Sequence, residues 1–248
     1  GLSISVSDIF LTSFEVISSY FFDYLIVVDS NIQKKFRKKK TQKISNPPPK
    51  SYVQKEKIKN SNSDKIKIVF LGSLSLSRGL YQMIEAINLL KPEELFELHI
   101  IGELRDKPDI TCFNKEQVVF HGRVPWGISH KMLVGMDIAL FLYQPTPAHL
   151  HFTGEGNTKL FEYMGSGLPV IYSNFPKLQK LIGPIGCGIA VDPTSPEEIS
   201  KAVKKLYNDP KLRNQMSENG RRAVLEKYNW EVEEKKLLQV YKTVLKNK

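Results

Sequence analysis

The chain has 248 residues, 41% hydrophobic and 25% charged, the balance of a globular protein long enough for one large domain or one domain plus part of another. Its longest apolar stretch, Ile9 to Val28, is interrupted by Glu15 and Asp23, which argues against a membrane span, and no signal-peptide pattern opens the chain. The formal charge of +10 points to an anionic partner, although lysine-rich solvated helices account for much of such a balance.

Taken in chain order, residues 4 to 22 carry Ile9, Phe10, Phe14, Ile17, Tyr20 and Phe21 at helical spacing. "YLIVVDS" is short, apolar and β-branched, as a buried parallel strand is. Ser30 caps a predicted helix, "NIQKKFRKKK", and "TQKIS" reads as a further short strand. Three prolines in "NPPPK" end this set, and the polar run from Ser51 to Asp64 reads as a linker. Beyond it the pattern is regular. Strands are expected at "KIKIVFLGS", "FELHIIG", "VVFHG", "DIALFLY", "PVIYS" and "GIAV", with helices over 78–90, "ISHKMLVGM", residues 158–165 and from Ser195 onward. Alternating strands and helices predict an α/β fold, a doubly wound parallel sheet preceded by a partial second α/β domain. The expected organisation is a remnant of a second domain over 1–46, a linker over 47–63, a ligand-binding domain over 64–230 and a final helix over 231–248.

Three strand-end loops sit where open α/β sheets bind ligands. In "FLGSLSLSRGL", Gly72 and Gly79 allow close backbone approach, and Arg78 offers a planar cation suited to phosphate. Taken alone, that arginine is more simply a solvent-facing first-turn residue. In "TGEGNTKLFEYMGSGLPVIYSN", Gly154, Glu155 and Gly156 precede a helix begun by Asn157 or Thr158. Lys159 there opposes the helix dipole unless an anion is present, and Leu160 turns inward. Glu162 can accept two neighbouring ribose hydroxyls, where the plain reading is a surface pair with Lys159. In "FHGRVP", the backbone from His121 through Gly122, Arg123 and Val124 can meet a base edge, while the His121 ring reads as a packed structural group. His149 and His151 lack a third ligand, and Cys112 and Cys187 have neither metal nor redox spacing. The basic run from Lys34 to Lys40 reads as a solvated face that can also touch anionic headgroups.

With those residues in view, the chain resembles the C-terminal half of a GT-B glycosyltransferase of family 4, the group 1 transferases. "GNTKLFEYMGSGLPVIYSN" is similar to the family's nucleotide-sugar motif, "GSLSLSRGL" to its phosphate loop, "FHGRVP" to its base-contacting loop and "YNWEVEEKKLLQVY" to its last helix. The resemblance implies a Rossmann-like donor domain and a truncated transferase whose acceptor-side domain is represented only by its tail. It implies metal-independent, retaining transfer from a nucleoside-diphosphate sugar to a sugar, lipid-linked or small-molecule acceptor, with no cofactor. Arg78, Lys159 and Glu162 would carry the chemistry: Glu162 holding the donor ribose, Arg78 neutralising the diphosphate, and the backbone of Thr158 to Leu160 cradling phosphate. The sequence departs from the family at Gly154, where a glutamate is expected with Glu155 one residue out of register, and at Ser73, where a phosphate-binding arginine is expected. A cytoplasmic location, contact with the inner face of an anionic membrane, and self-association through residues 1–46 are further expectations. A nucleotide-binding module without turnover, a basic nucleic-acid binder and a sugar-nucleotide epimerase remain as alternatives.

Overall fold

The computed structural model describes residues 6–36, 40–54, 65–90, 96–105, 116–150 and 153–246, with the side chains of 6–9 left aside. Its centre is a six-stranded parallel sheet: β3 (Ile66–Leu71), β4 (Phe96–Ile101), β5 (Val118–Gly122), β6 (Ile138–Phe141), β7 (Val170–Ser173) and β8 (Gly188–Val191). The strands are ordered β5-β4-β3-β6-β7-β8, so the winding reverses between β3 and β6. That reversal is the crevice where a doubly wound sheet takes its ligands.

Side-chain alternation along the strands feeds two cores. Ile138, Leu140 and Leu142 point to one face, where α3 (Leu80–Asn88) and α8 (Pro196–Asn208) cover them. Ala139, Phe141 and Tyr143 point to the other, under α4 (Trp126–Val134), α6 (Thr158–Gly165), α7 (Pro176–Ile182) and α9 (Pro210–Glu226). Buried strands of this kind need no polar face, which is why they read as unbroken apolar runs. The helix expected over 78–90 begins only at Leu80. A 3-10 turn, Leu76–Arg78, precedes it, and Gly79 between them sits at φ +75°, a left-handed conformation that glycine adopts without strain.

The first part of the chain forms a separate two-stranded parallel sheet, β1 (Leu25–Val27) with β2 (Thr41–Lys43), behind α1 (Val6–Ser18). The helix predicted over 31–40 is shorter than expected: α2 spans only Ser30–Gln33, opened by the Asp29 carboxylate accepting from the Asn31 N–H. Adjacent lysines without acidic partners one turn away give it no reason to continue. Phe10, Leu11, Phe14, Ile17 and Phe21 are exposed, Phe21 at 86% of its surface.

The expected linker is in part a packed segment. Tyr52, in a 3-10 turn over Lys50–Tyr52, is buried with its ring on His130, and the Gln54 N–H donates to the Gly165 carbonyl at 3.2 Å. The remainder, 55–63, lies outside the described residues. The last helix, α10 (Trp230–Lys246), meets this segment with its first turn. Glu233 accepts from the Ser45 N–H at 3.1 Å, Glu231 from the Lys50 N–H, and the Trp230 N–H donates to the Pro48 carbonyl. No helix among the described residues is long and apolar enough to cross a membrane.

Candidate functional site

Strands β3 and β4 end in glycines at φ +120° and +142°, Gly72 and Gly102. The two backbones approach so closely that a Cβ on Gly102 would strike the Gly72 carbonyl, and a Cβ on Gly72 would fall on the Lys159 ammonium. A cavity of about 440 Å³ opens above them, lined among others by Gly72, Ser73, Glu103, Arg105, Arg123 and Lys159. The lysine thus lies where a side chain on β3 would otherwise lie, aimed into the switch-point crevice.

Helix α6 delivers that lysine. Asn157 caps it, its Oδ1 accepting from the Lys159 N–H at 3.1 Å while its Nδ2 donates to the Tyr143 hydroxyl at 2.8 Å. The rest of the helix is buried from Leu160 to Gly165, and the Leu71 N–H donates to the Tyr163 hydroxyl, fixing the end of β3 against α6. Burial first, then the nearby Arg78 and Arg105 charges, lower the Lys159 pKa to about 8, with Glu162 acting in the opposite sense. A cation held so close to two others is a site short of negative charge.

Arg78 does not line the cavity. Its Nη1 donates to the Ser73 carbonyl at 2.6 Å, holding the loop after β3, and its charge acts on Lys159. Glu162 is almost fully buried, and burial raises its pKa against the opposing Trp126 hydrogen bond and Lys159 charge. Trp126 was not singled out by the sequence, yet its indole N–H donates to Glu162 Oε1 at 2.6 Å and its ring lies 5.7 Å from that of Tyr52. Its only signal was position, directly after the "FHGRVP" loop. Glu103 and Arg105, joined by a 3.7 Å ion pair, were likewise passed over, although "GELR" follows β4 at the ligand-binding end of the sheet.

Other expected site residues are placed elsewhere. The Glu155 carboxylate is taken up by Lys43 Nζ at 2.7 Å and by the Ser30 backbone and hydroxyl; burial alone would raise its pKa, but these bonds lower it. Gly154, at φ +76°, packs near Leu178, and Gly156 abuts Val28, so this loop docks on the β1–β2 layer. Thr153 completes the contact by donating its hydroxyl to the Asp29 carboxylate. His121 is hydrogen-bonded to His99 at 2.9 Å, their rings stacked, outside the cavity wall, while Gly122 accepts from the Gly102 N–H and Val124 lines the cavity. His149, in the short helix α5 (Pro147–Leu150), packs edge-on against Tyr143, Cys187 is buried, and His151 and Cys112 lie outside the described residues. Among the described residues no group of three or more His, Cys, Asp or Glu is placed to hold a metal ion.

Against this geometry, residues 53–223 match the family described as "Glycosyl transferases group 1". A glycosyltransferase of Methanocaldococcus jannaschii, itself uncharacterized, is 26% identical over 73% of this chain and 46% of its own length. The MMP alpha-(1->4)-mannosyltransferase of Mycolicibacterium hassiacum is 28% identical over 68% of this chain and 40% of its own. The chain therefore spans about half the length of the curated relatives it matches. Among solved structures, Anabaena HepE in complex with UDP and glucose superposes with a TM-score of 0.74 at 14% identity, covering 93% of this chain and 66% of that one.

Proposed function

The chain belongs to the group 1 glycosyl transferases, and from that premise we propose that it forms the donor side of an enzyme moving a sugar from a nucleoside diphosphate to an acceptor. The observation that carries this reading is the Lys159 ammonium in the switch-point cavity, set against Gly72 with Arg78 and Arg105 within charge reach. Diphosphate oxygens in that cavity meet fixed positive charge, and the charge that grows on the diphosphate as the sugar leaves is stabilised in the same place. The structural neighbour's UDP makes a uridine nucleotide the first donor to try.

In this reading Lys159 and the α6 N-terminus hold the diphosphate, and Arg78 shapes the loop that closes over it. Glu162, with one oxygen engaged by Trp126, offers the other to the donor ribose. The departing diphosphate takes the acceptor proton, so the donor side supplies positioning and charge, without a metal and with retention at the sugar carbon. The acceptor is a sugar, a lipid-linked molecule or a small molecule. Calorimetric titration with UDP, GDP and ADP tests the donor part, beside Lys159→Met and Trp126→Phe. Selective diphosphate binding weakened by both substitutions is expected. Equal binding by the native protein and both variants would remove the site from this cavity.

A further inference from the structure

We propose that the chain carries a second ligand site, a basic cleft that takes a phosphate-bearing molecule with an apolar portion. The cleft, about 660 Å³, lies between the Ser30–Lys34 segment, α7 and the end of α9. It shares no lining residue with the cavity at Lys159, and Thr153 and Glu155, in the loop before α6, are part of its wall. The inference does not depend on the transfer reaction.

Charge selects the ligand's chemistry. Lys34, Lys177, Lys180, Arg222 and Lys227 line the cleft from three separate parts of the chain, against two carboxylates, Glu155 and Glu226. Glu155 is already met by Lys43, which stands outside the cleft, so its charge does not oppose an anion there. Two of the cations are also held in place. Lys177 Nζ donates to Asn31 Oδ1 at 2.8 Å, and Arg222 Nη2 donates to Asn219 Oδ1 at 2.8 Å, which uses a single one of the guanidinium donors. Convergent ammonium and guanidinium groups match an anion with several oxygens better than a lone carboxylate.

The floor sets the second requirement. Leu181, Ile185 and Tyr228 give the cleft an apolar base beneath its cationic rim. Its volume is within the range of roughly 300–1,000 Å³ usual for small-molecule sites, and it is a bounded cleft, not the extended track that a nucleic-acid strand occupies. A molecule with a phosphate at one end and a carbon body at the other meets both surfaces. Soluble sugar phosphates and phospholipid headgroups share that chemistry.

The test titrates the protein with inorganic phosphate, glucose 1-phosphate and soluble dihexanoyl phosphatidate. Flotation with phosphatidylcholine vesicles, with and without phosphatidate, runs alongside. Each is repeated on the double variant Lys180→Ala/Arg222→Ala, whose positions are exposed and whose thermal midpoint serves as the control for folding. We expect at least one organic phosphate to bind more tightly than inorganic phosphate, and the double variant to weaken it about tenfold or more. Glucose 1-phosphate binding identifies a soluble phosphate ester as the source, while phosphatidate binding with flotation identifies a headgroup. UDP binding is expected to be unchanged in the variant. Absence of binding by every probe, or equal binding by the native and variant proteins, overturns the proposal. Loss of UDP binding in the double variant overturns it too, by making the cleft part of the nucleotide site.

Discussion

In the proposed reading Lys159 holds the diphosphate, and its environment makes it titrate unusually low. Burial and the Arg78 and Arg105 charges bring its pKa to about 8. An anion at the site favours the ammonium, so diphosphate affinity should be full below that value and fall as pH rises through it. A pH series of binding constants checks this, and Lys159→Met should abolish the slope above pH 8. A slope of the same size in that variant would mean that another group binds the anion. A cation in the first turn of α6 opposes the helix dipole, and the place of the lysine there was legible in the sequence. The partner of Glu162 was not. Trp126 lies 36 residues away along the chain, and nothing local to either residue signals that an indole will reach that carboxylate.

At the scale of elements, α6 has only eight residues and is held by tertiary contacts. Every residue from Leu160 to Gly165 is buried, and α9 packs along it. Gly167, just past its end at φ +71°, lies against the buried Arg221 guanidinium, which is ion-paired to Glu218 at 2.5 Å. Gly167→Ala should therefore destabilise the fold by about 1–3 kcal/mol, from left-handed strain and displacement of that arginine. Gly127→Ala, in α4 with open space around it, should be neutral or stabilising by about 0.5–1 kcal/mol. Denaturant midpoints compare the two, and an equal effect would show that the Arg221 contact is unimportant. The strands were legible because burial on both faces leaves a plain apolar run. Strand-end glycines likewise marked the cavity. By contrast α7 went unread, since seven residues opened by a proline give too little period to see. The destination of Glu155 was illegible for a different reason: its partners, Ser30 in α2 and Lys43 in β2, lie more than a hundred residues earlier.

Over the whole molecule, the two sheets are joined by few but specific contacts. Glu233 is buried, accepts from the Ser45 N–H and pairs with Lys236 at 2.6 Å, so it ties the last helix to the segment after β2. Glu233→Ala leaves that buried N–H without a partner, and we expect a loss of about 1–3 kcal/mol, read from thermal unfolding. A change below about 0.5 kcal/mol, the usual range of surface substitutions, would mean the tie is incidental. The polar composition of the run after β2 gave no sign of Tyr52, whose ring is buried on His130.

That join extends to the candidate site. The path leaving the small sheet near Ser45 and the path returning at Trp230 run side by side, stapled through Pro48, Glu231 and Glu233. A second set of contacts joins the same two layers, through Thr153 and Glu155 before α6 and through Lys177 in α7. Of these, Glu155 makes the most bonds, with the Ser30 N–H, the Ser30 hydroxyl and the Lys43 ammonium. Because Glu155 stands two residues before the cap of α6, the small sheet is bonded to the same turn that presents Lys159.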